Sequence, residues 1–157
     1  MKVLGVDPSS SCCGVAITEN KNLLVTDAWL PPKSGSSSDK LVDYYNWLYF
    51  FIGNHRPDVA AIEYLSVARN AIGTRVISHY QAISAFTCKK QNLMVIEGRV
   101  TSARKISLGK GNLAKKEVFE QMKKKFPNHK FGRWEKPGAD ETDAVCMALA
   151  GIQLAEK

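Results

Sequence analysis

Two acidic residues close apolar segments of the kind that form buried strands. Asp7 follows the segment KVLGV, and Glu63 follows the segment DVAAI. Because an unpaired buried charge is costly, a carboxylate at such a position indicates that something there uses it. If the two strands are parallel neighbours, Asp7 and Glu63 emerge side by side at their carboxyl ends, where open α/β sheets usually bind ligands.

A second pair of acids, Asp140 and Asp143, lies three residues apart in a segment that predicts a helix. This spacing puts both carboxylates on one helix face, whereas Glu141 is rotated off it. The residues behind them are mostly small and would let the helix approach a sheet closely: Ala144, Met147, Ala148 and Gly151. Taken alone, the pair also fits an ordinary helix N-cap with surface acids.

Together the four positions predict a metal site. Four converging carboxylates repel one another unless cations neutralise them. Oxygen ligands without histidine or cysteine suit Mg²⁺, with Mn²⁺ able to substitute. Two such ions about 4 Å apart can activate water and stabilise the leaving oxygen of an in-line displacement at phosphorus. We therefore expect Asp7, Glu63, Asp140 and Asp143 to hold two ions.

The positive charge is concentrated in one part of the chain. Residues 99–136, the basic segment, carry 12 Lys and Arg against 3 Asp and Glu, whereas residues 1–98 carry 9 against 8. A basic segment beside a metal site fits a polyanionic substrate, although a solvated basic helix would give the same composition. Combined with the acids, the pattern indicates cleavage of nucleic-acid phosphodiesters.

The elements that must position the four acids predict an α/β fold. Three short strand-like segments joined by tight turns open the chain and predict an antiparallel meander. Strands and helices then alternate, which implies right-handed parallel crossovers beside the meander. The prediction is a single domain over residues 1–157, with a five-stranded mixed sheet flanked by helices.

The helix boundaries follow from capping residues and periodicity. Ser38 or Asp39 is expected to cap the first helix, and Gly53 is expected to end it. A helix is expected over 71–90, a basic helix near 113–126, and a closing helix over 140–155.

Composition argues against other classes of protein. Met1 leads directly into a strand-like segment, so no signal peptide is expected, and the longest apolar run, 47–52, is too short to span a bilayer. A cytoplasmic protein without a membrane partner is the expectation. The four cysteines show no metal-ligand spacing and are expected to be reduced and buried.

Four blocks of the sequence resemble the RuvC-like Holliday-junction resolvases, which have the RNase H superfold. The blocks are LGVDPSSSCCGVAI, AIEYLSVARNAIG, ARKISLGKGNLAKKEV and GADETDAVCMALA, and they occur in the family's order over essentially the whole chain. The resemblance implies an endonuclease that resolves Holliday junctions and other branched DNA. It also implies that Asp7 bridges two metal ions, with Glu63 on one ion and Asp140 and Asp143 on the other.

The resemblance implies further roles. Lys105 and Lys115 match the family's active-site lysines, which contact the scissile phosphate or stabilise charge. A homodimer through the 71–90 helix is expected, since symmetric incision of a four-way junction requires two sites. The DNA contacts implied by the second and third blocks are Arg69, Asn70, Arg104, Lys105, Lys110, Lys115 and Lys116.

One position departs from the family pattern. The family usually places an aromatic wedge three residues after the second acid, and this chain has Ser66 there. Serine has no face for base stacking, so we expect broader selectivity that includes forks and flaps. Related nucleases of phage origin loosen selectivity in this way, which makes a phage source, acting in the host cytoplasm, compatible with the sequence.

Three other functions are compatible with parts of the pattern. A sugar-kinase or actin-like ATPase also begins with an Asp before a hairpin, but such proteins need two copies of this fold. A structure-selective DNA-binding protein with weak catalysis stays open, as does an RNase H-like nuclease acting on hybrids or flaps.

Overall fold

The chain forms one five-stranded sheet with helices on both faces. The computed structural model describes residues 1–64 and 71–155. The strands are β1 (Lys2–Asp7), β2 (Cys13–Glu19), β3 (Asn22–Trp29), β4 (Val59–Glu63) and β5 (Met94–Gly98). The helices are α1 (Ser37–His55), α2 (Ala71–Lys90), α3 (Val100–Leu108), α4 (Lys115–Lys125) and α5 (Ala139–Ala155), and a turn at Trp134–Gly138 leads into α5.

The sheet has the strand order β3-β2-β1-β4-β5. The first three strands are antiparallel neighbours, whereas β4 is parallel to both β1 and β5. The predicted mixed sheet, with its meander followed by parallel crossovers, is therefore confirmed. No helix in the described ranges is both long and apolar enough to cross a membrane.

Alternating side chains of the strands supply two cores. Leu4 and Val6 of β1 point to the face covered by α1 and α2, where they join Tyr44, Leu48 and Tyr80. Val3 of the same strand points to the opposite face, which is covered by α3, α4 and α5. Because successive strand residues face opposite sides, one strand contributes to both layers.

Helix α1 begins and ends at other residues than predicted. Ser36 is its N-cap, and Asp39 completes a capping box with it: Asp39 N donates to Ser36 Oγ at 3.1 Å, and Ser36 N donates to Asp39 Oδ2 at 2.8 Å. The helix continues through Gly53 to His55 and closes with Arg56 in the left-handed region, at a φ of 48°. Its buried residues Phe51 and Ile52 keep the last turn on the sheet, so packing overrides the glycine signal.

Helix α5 lies unusually close to the sheet, because two strand residues beneath it have no side chain. A Cβ at Gly5 would overlap the backbone carbonyl of Ala144, and one at Gly14 would overlap that of Asp140. Close approach of two backbones is possible only at glycine. The first turn of α5 is thereby brought onto the ends of β1 and β2.

Candidate active site

Two of the predicted acids meet at one edge of the sheet. β1 and β4 run parallel with Val6 beside Ile62, so Asp7 and Glu63 leave neighbouring strands at the same end. Both are buried, with 5% and 8% of their surface exposed. Glu63 lies close enough to Asp7 to raise its pKa, both through its charge and as a hydrogen-bond partner of the protonated acid. The expectation that these two carboxylates emerge side by side is confirmed by the strand register.

The other two predicted acids lie near the start of α5. Asp140 and Asp143 are also buried, and the Cβ-free strand positions under α5 bring them to the Asp7 edge. The negative charge of Asp143 is close enough to Asp7 to help raise its pKa. We call Asp7, Glu63, Asp140 and Asp143 together the acidic site.

Two cations from the basic segment face the acidic site. Lys115, at the start of α4, donates to Asp140 Oδ1 at 3.0 Å and lies 3.8 Å from Asp143 Oδ2. Arg104, on α3, donates from Nε to Asp143 Oδ1 at 2.8 Å and from Nη2 to Asp143 Oδ2 at 2.7 Å. The lysine side chain is half-exposed and the arginine is buried, so only Lys115 faces solvent as well as the acids.

The surroundings of Asp7 shift its pKa strongly. Burial raises the pKa of Asp7 well above 3.8, and the hydrogen bond and charge of Glu63, followed by the charge of Asp143, raise it further. Within residues 1–64 and 71–155, Asp7 Oδ2 is the buried side-chain oxygen or nitrogen that has no hydrogen-bond partner. A buried carboxylate oxygen without a donor is costly, so this atom is suited to an added cation.

The pKa values of the two cationic side chains are also raised, which favours their charged forms. Burial alone would lower the pKa of Lys115, but the charges of Asp7 and Asp140 raise it above its usual value. Burial also opposes the charge on Arg104, whereas the hydrogen bonds and charge of Asp143 raise its pKa. Both side chains are therefore held in their charged forms by the acids they contact.

The donor set fits a hard divalent cation. It consists of carboxylate oxygens, the ligands that Mg²⁺ and Mn²⁺ prefer, and one of these oxygens is an unpartnered buried atom. As the side chains stand in the described ranges, no three of them enclose a common ion position. The residues fit the ion in chemistry, and the oxygens of Asp143 are engaged by Arg104 instead.

The remaining predicted site residues are placed differently from one another. Lys105, Lys110 and Lys116 are exposed on the α3–α4 side of the molecule, and the Lys116 ammonium lies 6.0 Å from the ring centre of Trp134. Arg104, predicted as a DNA contact, is 8% exposed and bonded within the protein. The predicted DNA contacts Arg69 and Asn70 and the departure at Ser66 lie outside the described residues.

Sequence reasoning missed the pairing of Arg104 with Asp143. From the resemblance, the adjacent Lys105 is expected to contact the scissile phosphate or stabilise charge; it is exposed, whereas α3 turns Ala103 and Arg104 inward. Helical periodicity could have found this, because Val100, Ala103, Arg104 and Ser107 share a face. The sequence patterns predict no helix over residues 100–108, and the inward face of α3 is visible only in the structure.

Two further contacts at the start of α5 were not predicted. Glu141 accepts a hydrogen bond from Gly132 N at 2.8 Å and ties the preceding loop to α5. The Cys12 thiol lies beside Asp140; burial, followed by the charge of Asp140, raises its pKa. All four cysteines are free and buried, as predicted, and a thiol with a raised pKa is unreactive.

Comparison with known proteins gives consistent matches over the whole chain. The family model described as crossover junction endodeoxyribonuclease RuvC matches residues 3–151. Curated proteins of that description include one from Hahella chejuensis, 27% identical over 97% of this chain and 87% of that protein. Another, from Caldicellulosiruptor saccharolyticus, is 29% identical over 97% of this chain and 92% of that protein.

Solved structures show the same fold. The structure described as T. thermophilus RuvC in complex with Holliday junction substrate has a TM-score of 0.81, with 15% identity, and covers 99% of this chain and 95% of that one. The yeast mitochondrial Holliday junction resolvase Ydc2 has a TM-score of 0.54, with 12% identity, and covers 98% of this chain and 82% of that one.

Proposed function

Since this chain belongs to the crossover junction endodeoxyribonuclease RuvC family, we propose that it resolves four-way DNA junctions through Asp7, Glu63, Asp140 and Asp143. It is a metal-dependent nuclease that hydrolyses DNA phosphodiesters. The observation that carries the site assignment is the buried, unpartnered Asp7 Oδ2, on a carboxyl whose pKa is raised by nearby Glu63 and Asp143, with Lys115 joining Asp143 to Asp140.

The buried, unpartnered oxygen of Asp7 supports its assignment as the shared ligand of the metal site. We propose Mg²⁺, with Mn²⁺ as a substitute, and two ions per site during catalysis. Glu63 would hold one ion together with Asp7, and Asp140 and Asp143 would complete the other. Bound there, the ions would supply the Lewis acidity that activates water and stabilises the leaving oxygen.

The contacts and exposure of Lys115 support a role on the DNA backbone at the site. Its ammonium contacts Asp140 and approaches Asp143, yet 53% of its side chain remains exposed. An incoming phosphate can therefore reach this charge without unfolding the site. We assign Lys115 to the scissile phosphate, where a positioned cation stabilises charge that builds up in the transition state.

The basic segment supplies the rest of the DNA surface. Lys105, Lys110 and Lys116 are exposed, and they lie in or between α3 and α4, near Lys115 along the chain. Exposed lysines neutralise phosphates without reading bases, so this surface gives affinity and orientation rather than sequence preference. Arg69 and Asn70 stay proposed contacts near the crossover.

The substrate class is branched DNA. We propose that four-way junctions are cut and that forks and flaps are also accepted, because Ser66 cannot stack on a base as an aromatic wedge would. Weakly catalytic DNA binding and cleavage of RNA–DNA hybrids are the alternatives. A cytoplasmic location, in the host if the source is a phage, is part of the same proposal.

A homodimer through α2 is supported by an apolar surface that α1 and α2 share. Phe86 on α2 is 53% exposed and Val42 on α1 is 59% exposed. These two residues, with Leu41, Tyr45 and Ile83, line an entirely apolar groove of about 180 Å³. A second copy would cover this surface and present two active sites to the two strands of a junction.

The variant Phe86→Glu should shift the protein to monomer in size-exclusion chromatography with light scattering, whereas Leu24→Glu, at an exposed apolar position on β3, should not. A dimeric Phe86→Glu protein would exclude this interface.

Cleavage of a panel of DNA substrates tests the function. Four-way junction, fork, flap and RNA–DNA hybrid of matched sequence are incubated with Mg²⁺, with Mn²⁺ or with EDTA. We expect cutting of the junction with either ion, slower cutting of forks and flaps, and none in EDTA. Cleavage of the hybrid alone would favour the RNase H-like alternative, and tight junction binding without cleavage would favour the DNA-binding one.

A further inference from the structure

Both oxygens of Asp143 are occupied by one arginine. The Nε and Nη2 groups of Arg104 form a fork around the carboxylate, at 2.8 and 2.7 Å. The aspartate is 2% exposed and the arginine 8%, so the pair is shielded from water. Two-bonded pairs of guanidinium and carboxylate are strong, because both groups are charged and the two parallel bonds fix their geometry.

Arg104 is also anchored on its other side. Its Nη1 group donates to the carbonyl of Leu113 at 2.9 Å. Leu113 is buried and lies two residues before Lys115, at the start of α4. The arginine is therefore fixed between α5 and the segment that presents Lys115, and it is built into the site rather than lying across it by chance.

The charges of the site leave room for one divalent ion. With the four carboxylates ionised, Arg104 and Lys115 compensate two of the four negative charges, and a formal charge of −2 remains. The uncompensated part is at Asp7, whose Oδ2 is buried and has no donor among the described residues. An ion placed against Asp143 would stand beside a guanidinium within 3 Å of the same oxygens, and like charges at that distance repel strongly.

We propose that Arg104 holds the place of a cation at Asp143 while no DNA is bound. The site then takes up one divalent ion beside Asp7 and Glu63, and a second ion enters only when Arg104 releases Asp143. This inference rests on the proposed function, because it assigns the acidic site to metal ions. Arg104 is a positioning residue in this account, since it acts through Asp143.

DNA itself can trigger the release. A phosphate is an anion that a guanidinium binds with the same two-bonded geometry as a carboxylate. A backbone phosphate arriving at Lys115 therefore offers Arg104 a second partner next to Asp143. The full set of ions would then be assembled only when DNA is bound, and the DNA-free protein would not hold both ions.

Mn²⁺ binding to the full-length, DNA-free protein tests the proposal. Electron paramagnetic resonance of free Mn²⁺ gives the number of ions per chain without any activity measurement. We expect one ion for wild type and two for Arg104→Met. This variant removes the guanidinium that holds both oxygens of Asp143 but keeps a long, unbranched side chain. The second ion should bind at least tenfold more tightly to Arg104→Met than to wild type. Lys105→Met, which removes the adjacent exposed cation, should behave as wild type.

Two further variants make the result decisive. Asp7→Asn should lose the single ion, and retention of that ion would overturn its placement. If Arg104→Met does not fold, Arg104→Lys replaces it; one ammonium cannot occupy both oxygens, so the second ion should again bind more tightly. Two ions of equal affinity in the wild type, or one ion in every folded Arg104 variant, would overturn the role of Arg104. In either case the junction-cleavage panel reads out the proposed function independently.

Discussion

Replacing Asp7 by asparagine should stabilise the metal-free protein. Burial and Glu63 raise the pKa of Asp7 above 3.8, so the folded state binds this proton more tightly than the unfolded state does. Stability from this group is therefore fully present below the unfolded pKa and is lost as the pH rises through the folded pKa. At neutral pH, the folded wild type must either bind a proton at Asp7 or bury an unpaired negative charge, and either one lowers the free energy of unfolding.

The size of the gain has an upper limit. For each pH unit above the ordinary pKa of 3.8, the raised pKa of Asp7 can lower the free energy of unfolding of the wild type by at most about 1.4 kcal/mol. The total loss at pH 7 therefore cannot exceed about 4 kcal/mol. Asparagine has the same shape, carries no charge, and can donate its amide hydrogen to Glu63. We expect a gain of about 1–3 kcal/mol, which corresponds to a rise in Tm of about 3–10 °C for a domain of this size.

Thermal unfolding in EDTA at pH 5, 7 and 8.5 measures this effect. The wild type should lose stability with rising pH relative to Asp7→Asn, and added Mg²⁺ should stabilise the wild type far more than the variant. The control is Asp58→Asn, because that exposed carboxylate only accepts a bond from Lys2 N at 2.7 Å; no gain is expected there. A lower Tm for Asp7→Asn in EDTA would refute the reasoning about an uncompensated buried acid.

Three further outcomes are expected. Gly14→Ala should destabilise the protein by about 2–3 kcal/mol in denaturant unfolding, because its Cβ would overlap the Asp140 carbonyl, whereas Gly73→Ala, where a Cβ meets nothing within 4 Å, should not destabilise it. Equal stability of both would contradict the close packing of α5. Lys115→Ala should lower the cleavage rate at saturating DNA by about 10²-fold or more, while Lys105→Ala should change mainly affinity; equal effects on the rate would contradict this division. The slope of log affinity against log salt should fall by about two when Lys110 and Lys116 are both replaced by alanine, and an unchanged slope would exclude them from the DNA surface.

The sheet and the strand-end acids could be predicted because they depend on local patterns. Apolar runs ending in Asp7 and Glu63 indicate the strands, and short connections indicate the antiparallel neighbours. The side-by-side position of the two acids depends on β1 and β4 being parallel neighbours, a condition that the structure meets. The close approach of α5 was foreseen from its small residues, although the matching glycines at positions 5 and 14 were recognised only in the structure.

Of the two cations at the acids, Lys115 is expected there from the resemblance, whereas the pairing of Arg104 with Asp143 could not be predicted in the same way. Whether Arg104 or Lys105 faces the acids depends on the phase of α3, a nine-residue helix whose ends carry no side-chain cap. The end of α1 differs from the prediction for a related reason: Gly53 is a typical helix stop, but tertiary packing carries the helix on to His55. In both cases a short-range signal was weaker than the burial of neighbouring residues.

Single-turnover cleavage of a four-way junction at saturating protein tests the central claim most directly. Wild type, Asp7→Asn and Glu63→Gln are compared with Mg²⁺, and binding of the same junction is measured in EDTA. We expect the two variants to cut at least about 10³-fold more slowly than wild type, while their affinities stay within a few-fold because the basic segment is unchanged. Full cleavage by wild type in EDTA, or by Asp7→Asn with Mg²⁺, would contradict a metal-dependent nuclease built on these carboxylates.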